Sequence, residues 1–146
     1  MKLVFAFAVN KENKFEKRHF GDADKFLIYK QENDKILSVA EENNIFKLMD
    51  EEHEHGSKKK GQAIISFLQE KGVNALVSRQ FGMNIKLINK AFIPVKISEE
   101  DPDKIIETLG KHLHWIKDEW DRDESNHKLF IINSGILKVS IDKTNK

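Results

Sequence analysis

The chain has 146 residues, enough for one domain with a substantial core and too few for two of ordinary size. Its 25 basic and 24 acidic residues are interspersed and leave a net charge of +1, so no global field draws it to nucleic acid or anionic lipid, and any attraction for anions is local. The absence of cysteine excludes disulfides, thiolate-held iron–sulfur clusters, cysteine zinc sites and thiol nucleophiles.

Residues 3–9 form a short, unbroken apolar run, which predicts a strand buried on both faces. The run is short for a signal-peptide core, and Asn10-Lys11-Glu12 follows it instead of a small-residue cleavage site; no other stretch approaches membrane-spanning length. A cytoplasmic location is expected. A polar, basic loop over 10–18 then delivers the chain to His19-Phe20-Gly21. Residues 26–29 and 36–40 read as strands of a hairpin with Asn33-Asp34 at its tip. A long acidic connection over 41–57 carries His53-Glu54-His55-Gly56-Ser57 and runs into Lys58-Lys59-Lys60-Gly61.

From Gly61 the period becomes helical, with Ile64, Phe67 and Leu68 on one face and Gly72 placed to end the helix. Residues 73–78 predict a strand, a second helix starts near Gly82, and 93–97 predict another strand. A third helix opens with Asp101 as N-cap and Pro102 at its first position. Its stripe Ile105, Leu109, Leu113, Ile116 and Trp120 keeps helical spacing throughout, so a single helix is expected. A charged linker over 121–127 leads to strands at 129–132 and 136–141, a hairpin turning at Asn133-Ser134-Gly135. The order predicts an α/β sandwich with a mixed sheet, antiparallel at first and then built by parallel crossovers. Ligands of such sheets collect at the carboxyl ends of the strands and at helix N-termini.

Several residues point toward that edge. His19 is an imidazole two residues before Gly21, which leaves room for a bulky ligand; the competing reading is a turn histidine bonding backbone. His53 and His55 would project to the same side of an extended segment, although they sit among glutamates that favour a solvated loop. Lys58, Lys59 and Lys60 at a helix start would oppose the macrodipole, a cost that a bound anion offsets. With Gly56, Ser57 and the helix N–H groups they form a mouth suited to negative charge, and Arg79 adds a forked donor. His112 and His114 have the wrong spacing to share a helical face. No carboxylate lies on the first strand to hold magnesium, and no nucleophile elbow, Walker loop, dinucleotide fingerprint or His-Glu-x-x-His motif occurs, so no enzyme activity is expected.

The buried first strand, His19-Phe20-Gly21, Ala23-Asp24-Lys25-Phe26 leading into a hairpin, His55-Gly56 leading into a helix, Lys71-Gly72-Val73 and the turn at Gly82 form an ordered set. Together they resemble the dinitrogenase iron–molybdenum cofactor biosynthesis family, which includes accessory proteins of the NifX and NifY type and the C-terminal part of NifB. The resemblance implies a ribonuclease H-like three-layer fold, a mixed sheet of about five strands flanked by helices, here over 1–120. Residues 121–146 would be a C-terminal β-hairpin extension packed on that domain. It also implies a non-catalytic carrier or accessory domain for an iron–sulfur or iron–molybdenum cluster or its precursor. His19, His53 and His55 would be metal contacts, and Gly21, Gly56, Ser57, Lys58 and Arg79 would line the site. Two readings stand beside it: a protein–protein accessory or regulatory module that meets a partner or a second copy without metal, and a simple anion-binding domain.

Overall fold

The computed structural model describes residues 1–49, 54–122, 126–133 and 135–141, with the main chain alone for 54–57. The apolar N-terminal run becomes the central strand β1 (Val4–Val9), in which Phe5 to Val9 are all buried. Because side chains alternate along a strand, β1 feeds two cores: Phe5, Phe7 and Val9 enter one, Ala6 and Ala8 the other. Around it lie β2 (Lys25–Glu32), β3 (Lys35–Asn43), β4 (Ala75–Ser78), β5 (Ile93–Ile97), β6 (Leu129–Ile132) and β7 (Ile136–Val139). They form one seven-stranded mixed sheet in the order β3-β2-β1-β4-β5-β6-β7. Parallel pairing joins β1 to β4, β4 to β5 and β5 to β6; the hairpins β2–β3 and β6–β7 are antiparallel, as is the pair β1–β2.

Helices α1 (Glu54–Glu70) and α2 (Ile85–Ala91) cover the alanine side of β1, contributing Ile64, Leu68 and Ile88. Helices α3 (Pro102–Lys111) and α4 (Leu113–Asp121) cover the phenylalanine side with Ile105, Leu109, Leu113 and Ile116. The result is three layers, each helix burying one stripe against the sheet. Local chemistry explains many element ends. Asp101 Oδ1 accepts the Asp103 N–H at 3.1 Å to cap α3, Gly72 takes φ 77° after α1, and Asn33 takes φ 61° in the two-residue turn between β2 and β3.

Three expectations change. The sheet has seven strands where about five were expected, because the C-terminal hairpin joins it through β5, with Phe130 and Ile132 buried in the same core. Helix α1 starts at Glu54, seven residues before Gly61, since glutamate and lysine are good helix formers and the acidic-then-basic order suits the macrodipole. The third helix is two: His112 leaves helical geometry at φ −126°, ψ 24° between α3 and α4. The break follows Gly110, against which the Asp34 carbonyl lies 3.4 Å from where a Cβ would be. The hairpin tip thus packs where the helix bends. No helix among the described residues is long and apolar enough to cross a membrane.

Candidate binding site at the carboxyl edge

The chain leaves β1 toward β2 on one side, while β4 leads to β5 on the other. The crevice between the carboxyl ends of β1 and β4 is therefore a topological switch point, where open α/β sheets receive ligands. Two loops meet there. The Phe20 N–H donates to the Gln80 carbonyl at 3.1 Å, and the Gln80 side-chain amide donates to the Lys17 carbonyl at 3.0 Å. Phe20 and Phe81, both buried, anchor the loops with ring centroids 6.0 Å apart.

This scaffold fixes His19. The residue caps a short 3-10 turn (Phe20–Asp22), and its Nδ1 accepts the Gly21 N–H at 3.2 Å. Its Nε2 lies 3.5 Å from Asp22 Oδ2. Two glycines leave room for the ring: a Cβ at Gly21 would lie 3.1 Å from its Cε1, and one at Gly82, where φ is 66°, would lie 3.5 Å from its Cγ and Cδ2. Any side chain at position 21 would crowd the imidazole.

Helix α1 supplies the third wall. Lys60, only 3% exposed, passes its stem beside Gly21 (Cε 3.2 Å from a Cβ there). Its ammonium donates to the Lys47 carbonyl at 2.8 Å and lies 3.4 Å from Asp22 Oδ1. Asp22 thus stands between an imidazole and an ammonium. Gly61 lets the helix approach the turn at Gly82–Asn84 so closely that a Cβ would fall 2.8 Å from Asn84 Nδ2. Buried Asn44 ties the loop from beneath, donating to the carbonyls of Gly21 at 3.1 Å and Ala23 at 2.9 Å. Nearby, Asp24 is held below the usual carboxylate range by its ion pair and hydrogen bond with Lys47, against the opposing effect of burial. Burial alone would raise Glu16, but hydrogen bonds from the Arg18 side chain and amide outweigh it and hold the carboxyl low.

The expected site residues divide accordingly. His19 and Gly21 lie at the crevice, and Arg79 follows β4 beside it, half-buried and without an ion pair among the described residues. Lys58 and Lys59 are exposed in the body of α1 and do not sit at its mouth, so the opposed macrodipole falls away; Lys60 instead is buried. His53 lies outside the described residues. His55, Gly56 and Ser57 are helical, so the extended segment expected to align His53 with His55 does not exist from Glu54 onward. In the helical register Gly56 lies four residues before buried Lys60, whereas His55 lies four before exposed Lys59. Sequence reasoning missed Asp22, Asn44 and the buried role of Lys60. Asp22 was accessible, three residues after His19; the others depend on contacts across 13 to 38 residues.

Among the described residues, no three His, Cys, Asp or Glu side chains gather to hold a metal ion. Among the described residues the edge brings together one imidazole, one carboxylate, a buried ammonium and glycine-lined space, an open donor set and not a closed ligand cage.

The fold and this edge define an α/β domain of three layers with a histidine-bearing crevice at the sheet's switch point. Residues 1–112 match the family model described as dinitrogenase iron–molybdenum cofactor, and the chain belongs to that family. Among solved structures it is similar to a crystallised dinitrogenase candidate from Methanocaldococcus jannaschii, with a TM-score of 0.52 and 18% identity over 76% of this chain and 90% of the other. That likeness concerns the fold. No curated protein matches the chain.

Proposed function

We propose that the chain is a non-catalytic, cytoplasmic carrier or accessory domain of the NifX type that holds an iron–sulfur or iron–molybdenum cluster, or a precursor of one, as cargo at the β1–β4 crevice. The first five strands and their helices would correspond to the ribonuclease H-like part of the family fold. The observation that carries the proposal is the convergence of His19, Asp22 and Lys60, from two segments about forty residues apart in sequence, beside the close-approach glycines Gly21 and Gly82. His19 is the attachment point. Lys60 and Arg79 offset cluster charge. Weak holding suits a carrier, since no thiolate anchors the cargo.

Anaerobic incubation with iron–sulfur or iron–molybdenum cofactor, followed by gel filtration and visible absorption, tests this. Uptake by the native chain and its loss in His19→Ala are expected. No uptake, or uptake indifferent to that substitution, overturns it.

A protein-docking reading has its own support. Ile45, Leu48 and Met83 are 72%, 92% and 72% exposed in the turns that flank α1. An apolar rim of this kind fits a protein partner that meets the edge with or without cargo. Replacing all three with serine abolishes partner capture on this reading and leaves cluster uptake unchanged.

A further inference from the structure

We propose that His19 can bind metal only by giving up its cap on Gly21, so that cargo capture and uncapping of the 3-10 turn are one event. The inference rests on the carrier reading and specifies how its attachment point works.

The argument is one of lone pairs and protons. A neutral imidazole carries one N–H and one lone pair. Gly21 N–H donates to Nδ1 at 3.2 Å, so Nδ1 supplies the lone pair and the ring proton sits on Nε2, facing Asp22 Oδ2 at 3.5 Å. A metal at Nδ1 displaces the Gly21 N–H directly. A metal at Nε2 requires the proton to move to Nδ1, where two N–H groups would then oppose each other. Keeping the cap while binding through Nε2 would need an imidazolate, with the ring's last proton removed, which a loosely held cargo cannot drive. Either productive route therefore breaks the same hydrogen bond. Rotation of the ring does not evade this: any orientation that keeps Nδ1 on the Gly21 N–H leaves that lone pair engaged, and any other gives the cap up. Asp22 acts as a positioning residue here: it favours the Nε2–H tautomer on one oxygen while facing Lys60 with the other.

Two measurements test the proposal. In the free, 15N-labelled protein, His19 shows the Nε2–H tautomer, with a coupling across the hydrogen bond from the Gly21 nitrogen to Nδ1. An Nδ1–H tautomer overturns the proposal whatever the protein binds. Second, Gly21 is replaced by glycolic acid, which exchanges the amide N–H for an ester oxygen without adding bulk. Removing the competing donor tightens cluster uptake by about fivefold, the equivalent of an ordinary N-cap. Equal or weaker uptake by the ester overturns the proposal and leaves the carrier reading standing. Absence of uptake by both proteins overturns the carrier reading and this proposal with it.

Discussion

Glu119 organises the residues beyond the family match around one carboxylate. It lies on α4, wholly buried, and its carboxylate gathers the C-terminal segment: Arg122 donates to it at 2.9 and 2.6 Å, the Lys128 amide at 2.9 Å, and Lys138 on β7 lies 3.4 Å away. His127 Nδ1 is 3.7 Å away, its ring stacked on Trp120. Stripping one partner from a buried ion pair costs about 3–5 kcal/mol. Here Arg122 and Lys138 keep 27% and 28% of their side chains exposed and recover water, so Glu119→Ala is expected to lose about 2–3 kcal/mol. Glu119→Gln, which still accepts the Lys128 N–H, loses about 1–2 kcal/mol. For a chain of this length 1 kcal/mol corresponds to about 3 °C in Tm, so the alanine variant melts about 6–9 °C lower. The pH dependence separates charge from packing. Burial alone would raise this carboxyl, but hydrogen bonds from Arg122 and Lys128, with the nearby cations, hold it below the ordinary 4.5. A depressed folded value means that the ionic contribution is complete above about pH 4.5 and fades as pH falls through the folded value. Urea titrations of the native chain and Glu119→Gln from pH 7 to 3 therefore give a gap that narrows below pH 4.5. A constant gap, or a loss under about 0.5 kcal/mol at pH 7, refutes the reasoning.

Gly61→Ala gains about 1 kcal/mol of helix propensity and loses about 1–3 kcal/mol to the Asn84 clash, so urea titration shows a net loss, which adding Asn84→Ala reverses. Lys60→Met keeps the buried stem and removes the charge; stability changes by about 1 kcal/mol or less, while cluster uptake falls sharply. His127 is pushed below its ordinary 6.5 mainly by burial, with Glu119 pulling the other way. The unfolded chain then takes up the proton first, and stability declines as pH falls from about 6.5 through the folded value. His127→Phe, which preserves stacking on Trp120, flattens that decline in thermal melts between pH 7 and 5.

Features set by neighbouring residues were legible in the sequence. The buried first strand, the Asp101 cap with Pro102, the Asn33 turn and the Gly72 terminus each follow from a few adjacent side chains. Features set across the fold were not. Lys60 and Gly61 showed no apolar stripe in the sequence, because what they bury is a lysine stem and a close backbone approach that make sense only against Gly21 and Asn84. The stripe of α3 and α4 stays in phase across their break, and the carbonyl of Asp34 that packs against Gly110 comes from a hairpin some seventy-five residues earlier. By contrast, His19-Phe20-Gly21 offered two local readings, a ligand contact and a turn histidine bonding backbone, and the imidazole does close its own turn on the Gly21 N–H.

That self-closure bears on how a carrier can release what it holds. Where a metal organises its ligands, binding free energy is folding free energy, and the empty protein unravels. At this edge the walls are set without cargo: Asn44 ties the 21–24 loop, Gln80 pairs with the His19 loop, and Gly61 seats α1 against the turn at Gly82. The imidazole already has a partner in Gly21, so the departure of a ligand restores a hydrogen bond and leaves no orphaned group. Loading and unloading then differ by an exchange of partners at one ring, which keeps affinity modest and the fold intact in both states.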